Sequence, residues 1–226
     1  MDDDRERALA RMDALAQTLI ARVAPVRFGL ASTAEEREAT YRLRARAVLD
    51  HGWATPDDVP GGIERDRFDD CAVHLAGWVG DRMVTTARLV VPVPNDTLPT
   101  GEHFEITVPL PAGCANLDRM VVAGDSADPG HRIFVALAFH GWAEMRRRGY
   151  HAFVGVVTPG MLRLYRRLGF HVIPVGEPRV YWGEERLPCL FDPLNGFTQP
   201  GTQAAVSLEA WATQAGTALR GDPAPG

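Results

Sequence analysis

Cysteine is scarce in this chain, no long apolar run is present, and neither sign of charge dominates. The three cysteines, Cys71, Cys114 and Cys189, are odd in number and far apart, which fits reduced thiols better than a disulfide framework or a zinc cluster. His74 and His140 have no partner at ligand spacing, so no metal site is expected. No apolar run approaches membrane-spanning length, and the start, Met1-Asp-Asp-Asp-Arg, lacks the basic region and apolar core of a secretory signal. A cytoplasmic protein without a membrane span is the expectation. A net charge of -5 and a pI near 5.8 give no basic field, which argues against nucleic acid as a ligand. Low-complexity segments and internal repeats are missing as well.

What remains is a chain that can bury its own core. At 226 residues, 46% of them hydrophobic, it should form one domain with appendages. Residues 1–25 read as an amphipathic helix, because Leu9, Met12, Leu15, Ala16, Leu19, Ile20 and Val23 follow a three-and-four spacing behind the acidic Asp2, Asp3 and Asp4. Its apolar face is expected to pack on the domain itself, with a dimer contact or a lid over a pocket as alternatives. After Pro25, Val26 to Leu30 alternates like an edge strand, and Ser32 or Thr33 can cap a helix running to about Leu49. An acidic, Pro/Gly-rich loop (Thr55 to Gly62) precedes two alternating runs, Cys71 to Val79 and Arg82 to Val91. Gly80-Asp81 between them suits a two-residue hairpin turn. A proline-rich connection from Pro92 to Gly113 follows, broken by short pieces such as His103 to Val108. Near the end, His171 to Val175 and Arg179 to Trp182 can finish the sheet with antiparallel strands. Residues 196–226 should hold a last helix, Ala204 to Leu219, and a frayed tail.

The most legible stretch runs from Leu117 to Phe170. It reads as a strand (Leu117 to Val122), a polar turn (Ala123 to Arg132), a helix (Ile133 to Arg148), a strand (Tyr150 to Val157) and a short helix. The long helix shows apolar residues at helical spacing and a basic last turn before Gly149. Phe153-Val-Gly-Val-Val157 is short, β-branched and continuous, as a strand buried on both faces of a parallel sheet should be. Thr158 offers an N-cap oxygen, Pro159 suits the first helical position, and Gly169 can supply the left-handed residue that ends the last helix.

This βαβα order, closing on Tyr165-Arg-Arg-Leu-Gly-Phe170, resembles the acyl-thioester site of the GCN5-related N-acyltransferases. The resemblance implies an α/β fold, a mixed central sheet flanked by helices, with a parallel strand pair that splays apart around the donor's pantetheine. Residues 26–195 would form that domain. The constellation Glu64, Asp66, Phe68 and Asp69, with Arg88 on the hairpin and Arg119 in Leu117-Asp-Arg-Met-Val-Val122, looks like the branch of acyl-homoserine-lactone synthases and long-chain N-acyl amino acid synthases. There it implies an acceptor site that includes Asp66, Asp69, Arg88 and Arg119; a structural ion-pair network is the competing reading. Asn116 stands where lactone synthases usually carry glutamate. That departure points to an amino acid or another small primary amine rather than S-adenosylmethionine.

On the donor side, Asp128-Pro-Gly-His-Arg-Ile133 has one glycine where acetyl-CoA enzymes carry two, and Gly130, His131 and Arg132 are the candidate phosphate contacts. Such a loop fits acyl carrier protein, with acyl-CoA as the other possible co-substrate. The expected reaction is aminolysis of a thioester carrying a medium or long acyl chain. Backbone N–H groups near Val121, Val122 and Ala123 would stabilise the oxyanion, and the Tyr165 phenol would protonate the thiolate. Glu64, Asp66, Asp118 and His103 are candidate bases. Acetylation of a small amine or protein, and a non-catalytic module that binds CoA or an acyl carrier, remain alternatives. The arginines Arg146, Arg147, Arg148, Arg163, Arg166 and Arg167 could dock an acidic carrier, but solvated helix faces are the favoured explanation. Monomer and homodimer both stay open.

Overall fold

A computed structural model of the chain describes residues 2–126, 131–167 and 172–192. The helix α4 (Arg132–Arg147) and the strands β2 (Val73–Val79), β3 (Arg82–Val90) and β4 (Cys114–Val122) form its centre. Ala87 and Leu89 of β3 are buried in one core with Val135, Leu137, Phe139 and Trp142 of α4. Side chains alternate along a strand, so Arg88 between them is turned to the opposite face. There it meets charges from the segment after α2 (Ala34–Asp50).

The N-terminal helix α1 (Asp2–Ala21) lays Leu9, Met12, Ala16 and Leu19 into the α4 core. Trp142 Nε1 donates to Asp13 Oδ1 at 2.8 Å across this contact. Its apolar face is thus covered by its own domain. Helix α2 starts where the sequence signals it: Glu36 N donates to Thr33 Oγ1 and Thr33 N to Glu36 Oε2, a reciprocal capping box.

The sheet has eight strands in the order β1-β2-β3-β4-β5-β8-β6, with β7 added to β8. Here β1 is Arg27–Leu30, β5 Ala152–Val157, β6 Val172–Pro174, β7 Arg179–Tyr181 and β8 Glu184–Phe191. Every described neighbour pair is antiparallel except β4 and β5. The two expected C-terminal runs are antiparallel strands, and a further strand joins them. Both short runs pair with β8, an unanticipated strand inserted between β5 and β6; its charged start and Pro188 disguise it. His103 to Val108 lies in the connection, as expected. His103 ends the short helix α3 (Pro99–His103), and Thr107 N then donates to Val175 O at 2.8 Å. The expected helix at Ala204 to Leu219 and the Gly169 cap lie outside the described residues.

The parallel pair is short. β4 and β5 match at Cys114/Ala152, Ala115/Phe153 and Asn116/Val154 and then part, β4 continuing along β3 and β5 along β8. Two features mark the parting. Thr86 faces Val121 and Arg88 faces Asp118, so β4 carries one residue more than β3, a bulge at Arg119-Met120 with Arg119 at φ 52. A left-handed arginine is uncommon and costs backbone strain. At Gly155 a β-carbon would stand 2.6 Å from Leu117 O, so only glycine lets β5 approach the β4 backbone here. Gly155→Ala is expected to destabilise the fold by about 1–3 kcal/mol through forced displacement of packed backbone. An unchanged urea midpoint would contradict that account of the junction.

Candidate active site

Where the two strands separate, a cavity of about 520 Å³ opens. One end is apolar, walled by Leu117, Met120, Val122, Phe134, Phe153, Val157 and Met161. Tyr165 belongs to this end. Helix α5 (Pro159–Arg167) begins at Thr158, whose Oγ1 accepts from Met161 N at 3.2 Å, and it sets Tyr165 edge-on to Phe191 with ring centroids 5.1 Å apart. Burial raises the phenol's pKa above its ordinary value, so the hydroxyl keeps its proton at neutral pH.

The other end is polar and aromatic. Trp53, His103, Tyr181, Trp182, Arg119 and Arg186 line it. Asn116, at the departure noted in the sequence, is buried. Its Oδ1 accepts from Thr100 N at 3.0 Å and Thr100 Oγ1 at 2.6 Å, which fixes α3 against β4 and sets His103 at the cavity wall. The His103 ring lies 4.9 Å from that of Tyr181. Burial and the Arg119 charge pull its pKa below the ordinary imidazole value, against Glu102 and Asp66.

Behind this wall the acidic and basic residues form one continuous network. Arg44 donates from Nε to Glu64 Oε2 at 2.5 Å and from Nη1 and Nη2 to Asp69 at 2.8 and 3.0 Å. Arg88 grips Asp118 through two bonds of 2.9 Å and reaches Asp66 and Asp69 through Nη1. Arg119 donates to Glu64 Oε1 at 2.9 Å, to Asp66 Oδ2 at 3.1 Å and to the Tyr181 hydroxyl at 3.4 Å. Three guanidiniums meet four carboxylates, leaving one net negative charge. Burial alone would raise the Asp69 and Asp118 pKa values. The paired arginines outweigh it, lowering Asp118 and bringing Asp69 to about 2.

These positions revise several expectations. Glu64, Asp118 and Arg119 line the cavity, whereas Asp66, Asp69 and Arg88 do not. The fully buried Arg88 and Asp69 side chains cannot meet an acceptor from where they stand. Asp118 is a poor base because both its oxygens accept from Arg88, and both oxygens of Glu64 are likewise taken by arginines. The Ala123 N–H, expected as an oxyanion donor, donates to Val84 O at 2.8 Å. Strand alternation turns the Val122 N–H to the opposite edge, toward the splay. His131 lines the cavity as the left-handed residue before α4, and Arg132 opens that helix. Gly130 lies outside the described residues. Among the basic helix residues, Arg146 faces Asp13, and Arg147 and Arg148 bond Glu144, so these three are tied to their own domain.

Sequence reasoning missed Arg44, Trp53, Tyr181 and Arg186 as site residues. Arg44 carried a usable signal, since it sits with Thr40, Leu43 and Ala47 at helical spacing on the inward stripe of α2. Among the described residues no cluster of His, Cys, Asp or Glu is arranged to hold a metal ion, and no helix is long and apolar enough to cross a membrane.

Residues 39–188 match the family described as N-acyl amino acid synthase FeeM. No curated protein matches the chain. Among solved structures, TofI in a ternary complex with an inhibitor and MTA is similar at TM-score 0.57 and 23% identity, over 81% of this chain and 96% of that one. The CoA-dependent acyl-homoserine lactone synthase BjaI, with SAM and isopentyl-CoA, is similar at TM-score 0.59 and 19% identity, over 84% and 89%. A putative N-acetyltransferase from Lactobacillus plantarum is similar at TM-score 0.53 and 14% identity, over 74% and 97%.

Proposed function

We propose, for a chain that belongs to the N-acyl amino acid synthase FeeM family and is an N-acyltransferase with the GCN5-related fold, that it moves a medium or long acyl group from acyl carrier protein or acyl-CoA to the amine of an amino acid or similar small molecule. The observation that carries this reading is that one cavity joins apolar residues around Tyr165 to polar and aromatic residues around His103 and Arg119. Its volume lies in the range of pockets that enclose sizeable ligands, and an acetyl group alone would leave the apolar wall unfilled.

In this reading the neutral amine attacks the thioester carbon, the C–N bond forms and the oxygen becomes an oxyanion. The Val122 N–H, turned to the splay, stabilises that charge. As the C–S bond breaks, the Tyr165 hydroxyl gives its proton to the sulfur and recovers one from solvent. The proton lost by nitrogen goes to His103, directly or through one water. Of the four candidate bases it is the one among the described residues that no arginine side chain ion-pairs, and its lowered pKa leaves it neutral, with a free lone pair, at physiological pH.

Two measurements follow. A donor series from acetyl to palmitoyl, each as CoA and as carrier-protein thioester, should show kcat/KM rising from acetyl to the longer chains; a preference for acetyl would overturn the proposed chain length. For the base, kcat/KM should fall as pH drops through the lowered His103 pKa, below about 6.5, because protonation removes the acceptor lone pair. His103→Gln should lower kcat about 10²-fold and abolish that acidic limb. A limb that survives the substitution would assign the base elsewhere.

A further inference from the structure

Three of the four arginines that line or back the polar end are saturated by carboxylates. The fourth is not. Arg186 of β8 is 15% exposed in its side chain, and its Nε and Nη2 are buried without a hydrogen-bond partner. The nearest carboxylate oxygen, Glu184 Oε2, stands 3.9 Å from Nη2, beyond hydrogen-bond reach. What holds the group is a ring: its guanidinium carbon lies 4.4 Å from the centroid of Trp53, which is itself stacked on His51 at 4.4 Å. Arg186, Trp53 and His51 all line the cavity.

A desolvated guanidinium with two idle donors costs stability unless something pairs with it. An edge that presents two N–H groups side by side matches a carboxylate in bidentate fashion. The same cavity is backed at Arg119 and Glu64 by the network with one net negative charge. Within the polar end, the Arg119–Glu64 side therefore favours a cationic or amine group and the Arg186 side an anion, the charge pattern of an amino acid. We infer that Arg186, held over the Trp53 ring, is the carboxylate receptor of the acceptor end, so that the acceptor carries a free carboxylate and simple amines, esters and amides are discriminated against. This rests on the N-acyltransferase reading above and narrows its acceptor class.

The test uses the full chain and isothermal titration with L-phenylalanine, L-leucine, L-glutamine and glycine, each beside its carboxamide. At least one amino acid should bind about ten- to hundredfold more tightly than its amide, the value of a charge-assisted pair. Arg186→Met should erase that difference and Arg186→Lys should restore part of it, since lysine keeps the charge and loses the fork. Without ligand, Arg186→Met should hold or raise the Tm, because two buried donors without hydrogen-bond partners are removed; a merely structural arginine would lower it. The inference is overturned if no amino acid binds, if amides bind as well as acids, or if Arg186→Met retains the preference. Acyl transfer that proceeds equally on amines and amino acids would remove the receptor and leave the transferase. Carboxylate-dependent binding without transfer from any donor would keep the receptor and remove the transferase.

Discussion

Tyr165→Phe lowers kcat by about 10²- to 10⁴-fold, the span for losing a positioned general acid, with little change in KM for the donor and little change in Tm. The substitution removes one oxygen and keeps the ring, which packs with Val157, Leu162, Val172 and Phe191, so folding and donor binding should persist. Burial raises the phenol's pKa, and the pH profile should therefore show no limb from tyrosine ionisation up to about pH 10. Single-turnover measurements separate the possibilities. Slow chemistry with an intact donor complex is expected; wild-type turnover in the variant would remove Tyr165 from the mechanism.

Arg88→Met is the second large effect, and it falls on stability. Arg88 is fully buried and joins Asp66, Asp69 and Asp118, so deleting its charge strands carboxylates in a dry interior. A loss of about 3–5 kcal/mol is expected, as for breaking one partner out of a buried pair, visible as a lower denaturant midpoint at pH 7. The sign with pH follows from the acids. Asp69 has its pKa lowered from 3.8 to about 2, so its contribution, about 2 kcal/mol, is present above pH 4 and is lost as pH falls toward 2. Wild type should lose stability across that window. Arg44 is the stronger partner of Asp69 and stays in the variant, whereas Asp118 loses its main partner, so the variant should lose somewhat less there and the gap between the curves should narrow in acid. Parallel curves would mean that Arg88 does not set the carboxylate pKa.

Much of this was legible in the chain because local rules and the fold agree. Ser32-Thr33 marked the start of α2, where the structure selects Thr33 as the cap, Gly80-Asp81 wrote the hairpin, and Thr158-Pro159 wrote the start of α5. The continuous apolar run Phe153 to Val157 announced a buried strand. Glu64, Asp66, Asp69, Arg88 and Arg119 lie together in one network with Asp118, yet their order along the chain cannot say which face the cavity and which stand behind it. That depends on strand alternation and on the bulge at Arg119, which needs both strands to exist. Strand β8 escaped for a physical reason too. It begins Glu184-Glu-Arg and contains Pro188, and its place between β5 and β6 comes from sheet closure rather than from local pattern. Arg186 was hidden with it. Trp53 gains its meaning only when the loop after α2 folds back over that strand.

The chain carries arginine but no lysine, so an acyl transferase assay on the purified protein has no ε-amine of its own to capture the donor. That simplifies the measurement that bears most directly on the account: mass spectrometry of small molecules formed when wild type and Tyr165→Phe are each given decanoyl and palmitoyl thioesters, as CoA and as carrier protein, with a mixture of the standard amino acids. The account predicts N-acyl amino acids, with thiol released in equal amount, in the wild-type sample and at most a hundredth of that in the variant. Donor bound or hydrolysed without any N-acylated amino acid in the wild-type sample would contradict it.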